Sequence, residues 1–201
     1  MIADVDWALT DDDLAVVVRV ASGIVRTATH VAPDDRLPPI EFARVVHALG
    51  GDDRSATRAV LAAIAAIHPV AAGRALASAQ WREMTSPIPE WVPLLEGAKL
   101  VGVALWNEVA GMRGAVADLG VGDHVVRVSA LVVDEPRELI DSDVTTRGVG
   151  CLPLQPAGRD EEGEVDDVLL DAVELADVDG HGPVGALPLV EWALRIRSWE
   201  N

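Results

Sequence analysis

The chain has 201 residues, half of them apolar, and a formal net charge of -17. That is enough apolar material to bury a sizeable core, and the single cysteine, Cys151, excludes an intramolecular disulfide and any cysteine-based zinc site. The acidic start MIADVDWALTDDD lacks the basic stretch of a signal peptide, and no apolar run approaches the roughly 18 residues of a membrane span, so we expect a soluble cytoplasmic protein with no membrane contact.

Taken in chain order, the first 85 residues read as about four short helices. Thr10 followed by Asp11, Asp12 and Asp13 is the pattern of an N-cap with carboxylates in the first turn. Leu14, Val17, Ala21, Ile24, Val25 and Ala28 then recur at helical spacing up to His30. Pro38 and Pro39 open a second helix with Ile40, Phe42, Val45, Val46 and Leu49 on its apolar side, and Gly50-Gly51 close it. Asp53 is placed to cap a third, in which Val60, Leu61, Ile64 and Ile67 face inward until Pro69. A fourth runs from about Val70 to Arg82, and the spacing suits antiparallel hairpins in a small bundle.

The stretch Thr85 to Pro93 holds three prolines in TSPIPEWVP and is the natural boundary, giving a helical bundle over 1–85, a junction over 86–98 and an α+β region over 99–201. Trp81, Trp91 and Trp106 bracket this junction, and we expect them to wedge the two halves together. Lys99 to Trp106 reads as a strand and His124 to Val133 as another. Between them, Asn107 can cap a helix carrying Val109, Met112, Val116 and Leu119 that ends at Gly120, which predicts a βαβ unit. Gly148 to Leu154 suits a further short strand. From Glu164 the pattern becomes an amphipathic helix, with Val165, Val168, Leu169, Ala172, Leu175 and Ala176 on one side and Asp166, Asp167, Asp171, Glu174 and Asp177 on the other. Leu189 to Trp199 fits either a helix or a strand, and the alternation of Trp192, Leu194 and Ile196 favours a strand. The fold class is therefore α+β: an N-terminal helical bundle packed with a smaller β-containing half that carries an acidic helix.

Charge is unevenly spread, about -3 over residues 1–85 and -14 over 86–201. The segment 160–179 has ten carboxylates and no Lys or Arg. Such a surface repels phosphates over a Debye length of about 8 Å, so direct nucleic-acid binding is not expected.

No motif specifies a reaction. The expected βαβ unit ends in Asp134, as a dinucleotide site does, but Asn107, Glu108 and Val109 stand where a glycine loop is required. Asp177, Asp179 and Gly182 resemble the opening of a calcium loop, yet Pro188 occupies the position of its bidentate Glu. Histidines 30, 47, 68, 124 and 181 show no metalloprotease spacing, and Cys151 has no activating base or cation beside it in sequence. Asp34, Asp35, Glu41, Asp141 and Asp143 form only loose carboxylate pairs. No cofactor is expected. The expected function is a non-enzymatic interaction protein of the immunity, antitoxin-like or adaptor kind that presents Asp166, Asp167, Asp171 and Glu174 to a basic protein surface. The alternatives are a small hydrolase or metal-dependent enzyme whose carboxylates and histidines meet only in the fold, and a structural subunit of a larger assembly.

Overall fold

An alanine-rich helix that is buried on every side organises the first part of the chain. In α4, Ser55–Ile67, the residues Ala56, Thr57 and Ala59 to Ile67 are all buried, and small alanine side chains let neighbours approach its axis from several directions. Those neighbours are α1 (Ile2–Thr10), α2 (Leu14–Thr29), α3 (Phe42–Gly50), α5 (Ala71–Glu83) and a 3-10 turn at Val92–Gly97. The computed structural model describes residues 2–29, 41–106, 111–134, 137–146, 162–179 and 187–200. It divides into two compact units, Met1–Gly97 and Ala98–Asn201, so the proline-rich stretch belongs to the first. The fold class is α+β, with a helical bundle followed by a sheet region.

The start of the chain corrects the expected capping. Ile2–Thr10 is itself a helix, anchored by buried Val5 and Ala8, and Thr10 is its last residue rather than the cap of the next. Asp12 turns the chain with φ 57°, a left-handed conformation that Asp tolerates better than most residues. The Asp13 N–H then donates to Ala8 O at 2.8 Å, the long bond of a Schellman ending. Asp13 is the true cap of α2: its Oδ1 accepts from the N–H groups of Ala15 and Val16 at 3.2 and 3.4 Å.

Asp53 does not cap α4 either. Its carboxylate reaches 32 residues ahead to the Thr85 N–H and hydroxyl and to the Ser86 N–H at 3.0 Å, while Arg54 occupies the N-cap position with its N–H on Thr57 Oγ1. His68 and Pro69 end α4. The imidazole of His68 lies so close to α5 that a Cβ on Gly73 would sit 2.4 Å from it, and its Nδ1 accepts from the Val70 N–H at 3.1 Å. Glu96 ties the 3-10 turn to α5 by accepting from Ser78 Oγ, Trp81 Nε1 and Arg82. Two guanidinium groups lie over the Trp81 ring, Arg58 at 5.9 Å and Arg82 at 5.4 Å from its centroid. Trp91 is buried, and its Nε1 donates to Asp12 Oδ1 at 2.9 Å, within the same unit.

The second unit holds four antiparallel strands in the order β1 (Lys99–Trp106), β2 (Met112–Val121), β3 (His124–Asp134) and β4 (Arg137–Thr146). This meander replaces the expected βαβ unit. Met112, Val116 and Leu119 do recur at helical spacing, but Ala115, Ala117, Leu119 and Val121 alternate, and it is this second row that is fully buried. A two-residue turn, Gly122-Asp123, closes β2 onto β3, with Gly122 at the φ of 59° that a right-twisted hairpin requires. The register sets Leu119 against Val126 and Ala117 against Val128, which builds one continuous apolar row across the sheet.

Helices α6 (Glu162–Asp179) and α7 (Leu187–Glu200) pack against each other and on that row. The C-terminal segment is thus a helix and not the expected strand. Leu189, Trp192, Ala193 and Ile196 are buried at i, i+3, i+4 and i+7, and that period outweighs the two-residue alternation. On the opposite sheet face Asp118 and Arg127 stand directly across from each other on β2 and β3. Both are buried, and they form a bidentate pair at 2.8 and 2.9 Å. The expected strand at Gly148–Leu154 lies outside the described residues.

Candidate functional site

Helix α6 is seated by one side and open on the other. Val165, Val168, Leu169, Ala172 and Leu175 are buried against the sheet, with a spacing of three and four residues that a single helical face produces. Glu164, Asp167, Leu170 and Glu174 are exposed along the opposite side. Leu170 is 50% exposed, an aliphatic side chain within an acidic stripe.

The four carboxylates singled out in the sequence do not share one environment. Asp167 and Glu174 lie two turns apart on the exposed stripe, and Asp166 is half-buried on its flank. Asp171 is turned toward the sheet, where its Oδ2 accepts from Arg113 of β2 at 2.7 Å. This pair also fixes which sheet face carries the helix, because Arg113 shares a face with Ala115, Ala117 and Leu119. The outward stripe is therefore Glu164, Asp167 and Glu174 with Leu170 among them. The exposed leucine was readable from the helical wheel, since position 170 falls opposite the apolar stripe.

The remaining candidates disperse. Asp177 and Asp179 belong to the last turn of α6, and the positions that follow them in the calcium-loop pattern, His181 and Gly182, lie outside the described residues. His47 is exposed on α3, His68 is buried at the α4–α5 corner, and His124 is half-buried at the start of β3. Glu41 pairs with Arg44 at 3.1 Å on the surface, and Asp141 and Asp143 occupy β4. Cys151, Asp34, Asp35 and His30 lie outside the described residues. Among the described residues no group of three His, Cys, Asp or Glu side chains could hold a metal ion, and no helix is long and apolar enough to cross a membrane.

A separate concavity of about 400 Å3 lies in the first unit, between the second half of α1 and the proline segment 87–89. Its lining includes Asp6, Leu9, Thr10, Ser55 and Ile88. No histidine is among the lining residues.

No family model matches this chain, and neither the curated proteins nor the solved structures include a match.

Proposed function

We propose that this protein is an interaction component of the immunity, antitoxin-like or adaptor kind, acting in a reducing compartment such as the cytoplasm, and that it presents the open side of α6 to a basic protein surface. The observation that carries this reading is the division of α6 into a buried apolar side and an outward stripe of Glu164, Asp167 and Glu174 that encloses the exposed Leu170. Outward carboxylates of one sign accelerate encounter with a basic partner and reject acidic ones. Leu170 supplies the apolar contact that charge alone does not, and a partner with an aliphatic or aromatic side chain between basic ones fits both.

The test uses a photo-crosslinking residue at position 170 to capture the partner in the host cell, followed by association kinetics with the purified partner. Replacing Asp167 and Glu174 by Asn and Gln is expected to slow association and to flatten its dependence on salt, because screening acts only on charges that are present. Equal rates and equal salt slopes for variant and wild type refute the reading.

A further inference from the structure

The cleft on the first unit is independent of α6 and has its own chemistry. One wall is α1, which contributes Leu9, Thr10 and Asp6; the other is the proline segment, whose Ile88 stands between Pro87 and Pro89. Ser55, in the first turn of α4, completes it. Prolines restrict backbone motion, so this wall is preformed rather than assembled on binding. Its volume of about 400 Å3 lies within the range of ligand sites, yet two walls of surface side chains leave it open, which suits a segment of another protein better than an enclosed metabolite.

Two observations define what such a segment carries. The first is charge. Residues 1–13 contain Asp4, Asp6, Asp11, Asp12 and Asp13 and no Lys or Arg. Asp12 and Asp13 are engaged by Trp91 and by the start of α2, whereas Asp6 lines the cleft and Asp11 lies one residue beyond Thr10, and both of these are exposed. Arg54, beside Ser55, does not reverse this sign: its Nε donates to Asp52 at 2.7 Å, and the nearby carboxylates of Asp52 and Asp6 both favour its charged form. The second is apolar surface. Leu9 and Ile88 are only half-buried, and Trp7, on α1 one helical turn before Thr10, is 60% exposed. Tryptophan is among the residue types most enriched at binding hot spots.

We infer that this cleft receives a Lys or Arg side chain of a partner protein, its alkyl stem lying on Leu9 and Ile88, its charged head on Asp6, and an adjacent aliphatic residue of the partner against Trp7. The first turn of α4 at Ser55 could instead attract an anion through its backbone N–H groups, but Asp6 already places a carboxylate on that side of the cleft.

The experiment is an NMR titration of the full chain with two capped dipeptides, acetyl-Arg-Leu-amide and acetyl-Glu-Leu-amide, following the backbone amides of Thr10, Ser55 and Ile88. The arginyl peptide is expected to shift these three amides and the glutamyl peptide to leave them in place. Asp6→Asn should weaken the arginyl peptide by about threefold to tenfold, the size of one charge-assisted bond open to water, while Asp6→Glu retains binding and controls for the fold. Equal shifts with both peptides would reduce the cleft to an apolar groove without charge selection. Shifts with the glutamyl peptide alone would make it an anion site at α4, and no shift with either would show that it binds neither class; each of these outcomes overturns the inference.

Discussion

The two units use their carboxylates in opposite ways. In the first, acidic side chains are built into the fold: Asp12 accepts from Trp91, Asp13 caps α2, Asp53 holds Thr85 and Ser86, and Glu96 gathers Ser78, Trp81 and Arg82. In the second, α6 leaves Glu164 and Asp167 exposed to water and commits Asp171 to Arg113. An Asp or Glu that meets a donor in a distant segment is a structural joint, whereas one on the open side of an amphipathic helix contributes to the field of the surface. Net charge alone does not distinguish these roles.

The comparison is tested most severely at Trp91, which is 4% exposed and bonded to Asp12 across 79 residues of sequence. Trp91→Ala is expected to destabilise the protein by about 3–5 kcal/mol, as other buried aromatic truncations do. Trp91→Phe retains most of the packing and loses the indole donor, at about 1 kcal/mol. Urea denaturation of the two variants separates packing from the hydrogen bond; similar losses would mean that the bond to Asp12 dominates.

The buried pair in the sheet is the second unit's exception, a carboxylate used as a joint. Asp118→Asn removes the charge opposite Arg127 and should cost about 3 kcal/mol, the lower end for broken buried pairs. The small residual exposure of both residues, 6% and 8%, argues for that lower end. Replacing both by leucine should cost far less, because no buried charge then remains. A double replacement as damaging as the single one would show that the pair is worth more than the apolar contact that replaces it. A smaller effect is expected at the α2 cap, where Asp13→Ala loses about 1 kcal/mol and Asp13→Asn retains most of it.

Much of this fold is legible in the sequence, and the failures share a cause. β1 begins and ends where its apolar run does, and the acidic helix follows from its period. β2 was harder, because Val116 and Leu119 serve a helical pattern as well as a strand pattern; Gly122-Asp123 between two apolar runs was the signal for a hairpin. α1 was obscured because only Val5 and Ala8 mark its buried side. The roles of Asp12, Asp53 and Asp171 depend on partners 79, 32 and 58 residues away, and local spacing carries no information on such contacts. At the candidate site, the orientation of α6 is therefore readable from sequence and the diversion of Asp171 is not.

Acid should weaken the first unit at the contact between Asp53 and the 85–86 turn. The Ser86 N–H and the Thr85 hydroxyl hold the Asp53 carboxyl at about 2, below its ordinary 3.8. A depressed folded value means that its contribution is complete above the unfolded value and is lost as pH falls from about 4 toward 2. Melting temperature measured over that window should fall less steeply in Asp53→Asn than in wild type, from a lower starting point at neutral pH. Parallel curves would show that the contact with the 85–86 turn contributes nothing to the acid response.

The smallest expected effects lie within α6 itself, and they sharpen the comparison most because the helix contains both kinds of carboxylate. Asp171 and Arg113 are partly shielded, with side chains 20% and 34% exposed, so Asp171→Asn should cost about 0.5–1 kcal/mol after allowance for solvent screening. Asp167→Asn, one turn earlier on the exposed side, should change stability by less than about 0.5 kcal/mol in either direction, as surface substitutions usually do. Relief of repulsion along the acidic stripe favours the stabilising sign for Asp167, and that gain should shrink as salt is added. The loss at Asp171 should be less sensitive to salt, since its partner is held at 2.7 Å in a half-buried position. Chemical denaturation of both variants at low and high ionic strength reads all four quantities. If the two substitutions prove equal in size and in salt response, the division of α6 into a joint and an open stripe is wrong, and with it the physical basis for assigning the stripe to a partner.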